Sequence, residues 1–179
     1  MYTIYMNSQA PQPLENTVPS TSFAIPVISD LPDILKILSQ WVDEAEAQKY
    51  IVRIKDCIEG RSEYGMRFYA MKDGDAVIGV GGLADPLPLV IPYAKTAKPA
   101  ELKILYLDNN IRGKGYGKSF LEFLEKKALS DGRTELLVRS AEQFRETAFG
   151  FYLHCGYEDL GSIVNDAGRP MELFRKILI

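Results

Sequence analysis

Cysteine and histidine are scarce in this chain of 179 residues, which has two of the first and one of the second. Cys57 and Cys155 are too few for a disulfide framework and do not show metal-ligand spacing. The expectation is two free thiols in a reducing compartment and no metal, although the sequence alone leaves a single bridge open. His154 has no recognisable Ser or Cys partner, so it reads as a surface residue on the last turn of a helix. Long apolar runs are also missing: none approaches the roughly 20 residues that span a bilayer. No Lys or Arg precedes Lys36 and no apolar stretch follows Met1, so a secretory leader is not expected. These absences point to a cytoplasmic protein with no membrane partner. Basic excess is absent as well. A formal charge of −3 argues against a nucleic-acid partner, whose footprint is a strongly basic face.

What remains is ordinary for one globular domain: 46% apolar residues, 25% charged residues, and ten Tyr and eight Phe to fill a core. Residues 1–22 read as a loop-like extension, because residues 7–22 carry three prolines among small polar residues. Within it, Tyr2 to Met6 could form a short strand. The folded domain is expected over residues 23–179. It opens with a strand from Phe23 to Ile28, followed by a helix with Asp30 as N-cap and Pro32 in its first turn. Leu31, Ile34, Leu35, Leu38, Trp41, Val42 and Ala45 recur at helical spacing. A second helical stretch carries Tyr50, Ile51, Ile54 and Ile58 and ends near Gly60.

Two apolar runs, Arg67 to Met71 and Ala76 to Leu83, flank an Asp-Gly pair that signals a hairpin. The stretch from Asp85 to Pro99 has four prolines and resists regular structure. Loops of that length are uncommon unless functional, so it is expected to border a substrate site. Leu102 to Leu107 is a strand. A helix with Phe120, Leu121, Leu124 and Ala128 on its buried face follows, stopped by Asp131-Gly132. Strands at Thr134–Arg139, Glu158–Val164 and Met171–Ile179 and a helix at Glu142–His154 complete the order. Helices interleave with strands while hairpins stand at both ends, which suggests an α/β (α+β) fold with a mixed sheet covered by helices.

Between the Leu102–Leu107 strand and its helix lies Arg112-Gly113-Lys114-Gly115-Tyr116-Gly117-Lys118. A strand, closely spaced glycines and an amphipathic helix make an anion site. The first helical N–H groups are free, the helix dipole favours negative charge, and glycine lets a phosphate approach the backbone. Arg112, Lys114 and Lys118 add positive charge. Spacing excludes two familiar nucleotide motifs. A P-loop ending at Gly117-Lys118-Ser119 needs a glycine where Arg112 stands, and a dinucleotide fingerprint from Gly113 needs one at Lys118.

The pattern R/Q-x-x-G-x-G/A is met by Arg112, Gly115 and Gly117, and it resembles the pyrophosphate motif of the GNAT superfamily of N-acetyltransferases. Ala100 to Leu107 is similar to the strand that precedes this motif in the family. The segment from Arg145 through Ala148, Phe151, Tyr152 and Gly156 to Tyr157 is similar to the family's N-x-x-A-x-x-F-Y-x-x-x-G-F/Y segment. Met171 to Leu178 resembles its final strand. The likeness runs from about residue 23 to the end.

The resemblance implies a mixed, mostly antiparallel central sheet flanked by about four helices. It also implies acetyl-CoA as co-substrate, a small-molecule or peptide amine as acceptor, and direct attack in a ternary complex. Leu105 and Leu107 would offer backbone N–H groups to the thioester and pantetheine arm. Arg112, Gly113, Lys114, Gly115, Gly117 and Lys118 would hold the pyrophosphate. Tyr152 occupies the position of the family's general-acid tyrosine. Glu101 occupies that of a catalytic glutamate found in some branches, histone acetyltransferases among them, where others use a water chain. Arg145 replaces the usual asparagine and would reach a phosphate instead. Strand alternation puts Glu101, Lys103, Leu105 and Leu107 on one face. An acyl-CoA-binding sensor with the same fold is the competing reading. The acceptor, and the choice between monomer and homodimer, are left open.

Overall fold

The computed structural model describes residues 21–179. The strand expected at Tyr2–Met6 lies outside the described residues, as does the loop expected over residues 7–22 except for its last two residues, Thr21 and Ser22, which belong to a strand. Among the described residues seven strands form one sheet in the order β1-β2-β3-β4-β5-β7-β6. They are β1 (Thr21–Ala24), β2 (Arg67–Asp73), β3 (Ala76–Ala84), β4 (Pro99–Leu107), β5 (Glu135–Ala141), β6 (Glu158–Val164) and β7 (Pro170–Ile177). All neighbours run antiparallel except β4 and β5. This is the mixed, mostly antiparallel sheet expected. Four α-helices of the described residues accompany it: α1 (Leu31–Leu38), α2 (Glu44–Ile58), α3 (Tyr116–Ser130) and α4 (Gly150–His154).

The helices divide between the two faces of the sheet. Ile34, Ile37 and Leu38 of α1 and Ala47 and Ile54 of α2 pack on Phe68, Ala70, Val80 and Ile104. Phe120, Leu121, Leu124 and Ala128 of α3 join Tyr152 of α4 on the other face, against Met71, Leu83, Leu102, Leu136 and Phe174. Close approach of α3 depends on β3 having no side chain at Gly81, where a Cβ would stand 2.8 Å from Leu124. On the opposite face a Cβ at Gly82 would lie 2.7 Å from two atoms of the buried Phe68 ring. Gly82→Ala should therefore cost about 2 kcal/mol through overpacking. The thermal midpoint, followed by circular dichroism, should fall by about 4–8 °C. An unchanged midpoint would mean that the Phe68 ring swings aside freely.

Several local expectations need correction. β1 begins at Thr21 and stops at Ala24, short of Pro26, which has no N–H to give a ladder. Asp30 does not cap α1 with its side chain. Its carboxylate is buried, accepts the Val27 N–H at 3.0 Å, and pairs with Lys72 at 2.7 Å. The helical spacing that runs on to Ala45 is broken after Leu38, and α2 restarts at Glu44 with Asp43 as its N-cap. The segment expected as one helix over Glu142–His154 begins with a 3-10 turn and a π turn before α4. His154 is exposed on the last turn of α4, as expected, and both cysteines are free thiols.

The proline-rich stretch after β3 is mostly a cover for the far end of the sheet. Val90 is sealed against Leu137, Ile163 and Leu173. The backbone N–H groups of Lys95 and Thr96 donate to the fully buried Glu135 carboxylate, and Arg175 donates to the Tyr93 carbonyl. Only Leu87 of residues 86–98 reaches the large cleft described next.

Candidate active site

Two features of β4 create the cleft. The first is a splay. β4 and β5 pair in parallel only from Pro99–Glu135 to Leu102–Val138, although β4 continues to Leu107 and β5 to Ala141. Five residues of β4 beyond Leu102, about 16 Å of strand, are left without a partner on that edge. Antiparallel ladders alternate the direction of their backbone groups. The Asp108 N–H donates to Ile78 of β3, whereas the Leu107 carbonyl accepts the Trp41 indole N–H at 2.8 Å. By that alternation the backbone groups of Leu105 and Leu107 aim into the gap.

The second feature is a bulge. The β3–β4 register moves from Gly82↔Ile104 to Leu83↔Leu102, leaving Lys103 as the extra residue. An inserted residue exchanges the faces of everything beyond it. Leu105 and Leu107 therefore pack with Ala100 and Leu102 on the α3 face, while Ile104 and Tyr106 pack on the α1–α2 face. The expectation that Glu101, Lys103, Leu105 and Leu107 share one face is thus wrong. Lys103 stays with Glu101, 3.1 Å away, and the two leucines turn to the other side.

At the mouth of the splay stands the amino end of α3. Gly115 is its N-cap at φ 84°, after Gly113 at φ 76°, a left-handed backbone that side chains other than glycine adopt with strain. The helix's first internal bond runs from the Ser119 N–H to the Gly115 carbonyl. That leaves the N–H groups of Tyr116, Gly117 and Lys118 without helical partners. Nothing lies within 4 Å of where a Cβ at Gly113 or Gly115 would be, so the space above the turn is open. The nearby cations are only weakly held. Arg112 lies 4.9 Å from the Trp41 ring centre, a contact worth about 0.5–1 kcal/mol at an exposed site. The Lys118–Glu122 pair is 3.9 Å apart and exposed, worth a few tenths of a kcal/mol (about 0.3–0.5). Both can turn to a bound anion.

The cleft that joins these parts has a volume of about 1390 Å³. That exceeds the roughly 300–1,000 Å³ of a typical single-ligand pocket, so it has room for two substrates. Glu101, Leu105, Leu107, Arg112, Gly113, Gly115, Gly117, Lys118 and Tyr152 line it, and Lys114 and Arg145 do not. Arg145 instead donates to both carboxylate oxygens of Glu142 and lies 4.7 Å from the Phe149 ring.

Tyr152 and Glu101 sit in contrasting surroundings. Tyr152 is 7% exposed among Phe151, Tyr157 and Phe174. Its hydroxyl has no hydrogen-bond partner among the described residues, and the residue lines the cleft. Burial raises the phenol above its usual range, with the Cys155 thiol a secondary cause. Glu101 is 1% exposed and both of its oxygens are engaged: one by Arg139 at 2.7 and 2.8 Å, the other by Lys103 and by the Leu87 N–H at 3.0 Å.

Sequence reasoning missed the opposite wall of the cleft. Trp41, Tyr106 and Phe144 form an aromatic trio there with ring centres 6.0–6.4 Å apart. Tyr50 stands beside them, its phenol pushed up to about 12 by burial first and by Glu46 second. Lys103 and Arg139 were given no role in the site. Each is a basic residue in a strand that also carries a buried glutamate, and that was the signal available.

Residues 31–157 match the sequence profile of the acetyltransferase (GNAT) family. No protein of curated function matches the sequence. Many solved structures match the fold. A GNAT-family protein from Desulfovibrio desulfuricans superposes with a TM-score of 0.75 at 14% identity, over 89% of this chain and 100% of that one. The PaiA N-acetyltransferase from Thermoplasma acidophilum, in complex with coenzyme A, gives 0.63 at 18% identity, over 88% and 99%. An aminoglycoside 6'-N-acetyltransferase complexed with coenzyme A gives 0.64 at 14%, over 88% and 97%.

Proposed function

Because the chain belongs to the acetyltransferase (GNAT) family, we propose that it transfers the acetyl group of acetyl-CoA to a primary amine by direct attack in a ternary complex. The observation that carries this reading is the adjacency of the β4–β5 splay to the amino end of α3. A diphosphate held by the N–H groups of residues 116–118, with Arg112, Lys114 and Lys118 around it, leaves its attached arm at the open edge of β4. There the Leu105 and Leu107 amides satisfy their hydrogen bonds on the arm and the thioester oxygen. Donors fixed where negative charge develops are the largest single source of acceleration in acyl transfer.

The amine nitrogen attacks the thioester carbon, and the C–S bond breaks as the tetrahedral intermediate collapses. The Tyr152 phenol gives its proton to the departing thiolate, and the nitrogen loses a proton to water in the cleft. Glu101 was the other candidate for that last step. Its engaged oxygens favour a positioning role, holding Lys103 and Arg139 in the wall.

The test is release of free CoA thiol from acetyl-CoA across a panel of amines. Thiol release should rise well above the amine-free background for at least one acceptor. Tight CoA binding with no release for any amine would replace the enzyme with a binding module.

A further inference from the structure

The acceptor side of the cleft carries more positive than negative charge at its innermost point. Lys103 and Arg139 converge on Glu101, two cations for one carboxylate, with the lysine and arginine side chains only 14% and 16% exposed. Glu101 does not use up their donors. Arg139 spends Nε and Nη2 on one oxygen, leaving Nη1. Lys103 spends one of three N–H groups. Burial is the main cause that lowers the Lys103 ammonium's affinity for its proton; Glu101 opposes it, while Arg139 and then Arg53 of α2, a third cation nearby, add to it. The acids lining the cleft are committed elsewhere or lie at its rim. Asp43 caps α2, Glu46 pairs with Lys49, Glu142 pairs with Arg145, and Glu63 is exposed.

Half-buried charges with unfilled donors are costly unless a counter-charge completes them. A guanidinium edge beside an ammonium suits an oxyanion. The position along the strand sets its distance from the chemistry. Lys103 is two residues, about 6.6 Å, from Leu105, and it pairs with Glu101 within reach of Arg53 of α2. We infer that the acceptor is a small amine that also carries an acid group, which docks on Lys103 and Arg139 while its amine meets the thioester beside Leu105. The inference rests on the acetyl-transfer reading of the same cleft and specifies its substrate class. The acid group is a carboxylate or a phosphate, the two oxyanions this pair of cations would recognise.

The test compares matched acceptors: amino acids, their amides, the corresponding decarboxylated amines and aminoalkyl phosphates, each assayed by thiol release. A second arm needs no turnover. N-acetyl amino acids and N-acetyl amino amides are titrated calorimetrically into the CoA-loaded protein. Acids should exceed their amides by at least about tenfold in kcat/KM and in affinity. Lys103→Met should collapse that ratio while CoA affinity is kept. Carboxylates leading phosphates, or the reverse, identifies the natural acid group. Equal use of acids and amides, preference for the decarboxylated amines, or binding of neither product analogue at millimolar concentration overturns the inference. Transfer to neutral amines would still leave acetyl transfer standing. Failure to bind CoA at all would sink both.

Discussion

Gly115→Glu is expected to reduce coenzyme A affinity by more than about a hundredfold. Two charge-assisted hydrogen bonds to phosphate, at about 1.5–3 kcal/mol each, correspond to two to four decades in Kd. The substituted carboxylate would occupy the open space above the turn. There it would take the amide donors of residues 116–118 and neutralise part of the field of Arg112, Lys114 and Lys118. The fold should survive. A non-glycine residue at φ 84° costs about 1–2 kcal/mol, against a total of about 5–15 kcal/mol for an ordinary domain. Gly115→Ala separates the two effects. It carries the same backbone strain, meets nothing within 4 Å, and brings no charge. Calorimetric titration with CoA should show a modest loss for alanine and near-complete loss for glutamate. Retained affinity in the glutamate variant would remove the diphosphate from this helix end.

The parts of the site legible in the sequence are those that local chain order determines. The glycine turn, the strand before it and the helix behind it are contiguous, so their relation needs no tertiary information. Tyr152 was legible for the same reason, because its spacing from Ala148 and Gly156 lies within one short segment. What escaped reading depends on contacts between distant residues. Trp41 continues a helical apolar spacing, yet the chain leaves the helix after Leu38, and its indole N–H finds the Leu107 carbonyl 66 residues away. The bulge at Lys103 is invisible in a run of alternating residues, and it reverses which side chains Glu101 accompanies. The proline-rich stretch looked like a substrate border because it is long, and Leu87 does reach the cleft. The rest is held by Glu135, a buried acid that accepts from the loop's own amides.

The same contrast between local pattern and tertiary setting bears on Tyr152→Phe, which should lower kcat by about 10²–10³-fold while leaving CoA affinity in place. A positioned general acid contributes about two to four decades, and phenylalanine keeps the ring contacts with Phe151, Tyr157 and Phe174, 5.3–5.6 Å between centres. The hydroxyl bonds to nothing within the described residues, so its removal strands no partner and stability should be unchanged or slightly higher. The pH dependence supplies an independent check. Only the protonated phenol can donate to a thiolate, so this contribution is present at low pH and is lost as pH rises through the phenol's pKa. Burial raises that pKa above its usual value near ~10, with the Cys155 charge acting in the same direction. Turnover at saturating substrates should therefore show no falling limb up to about pH 10, where an unperturbed tyrosine would already be half ionised. A turnover limb falling between pH 8 and 10 in the wild type, still present in Tyr152→Phe, would assign the donor to another group. Equal kcat in the two proteins would remove Tyr152 from the reaction.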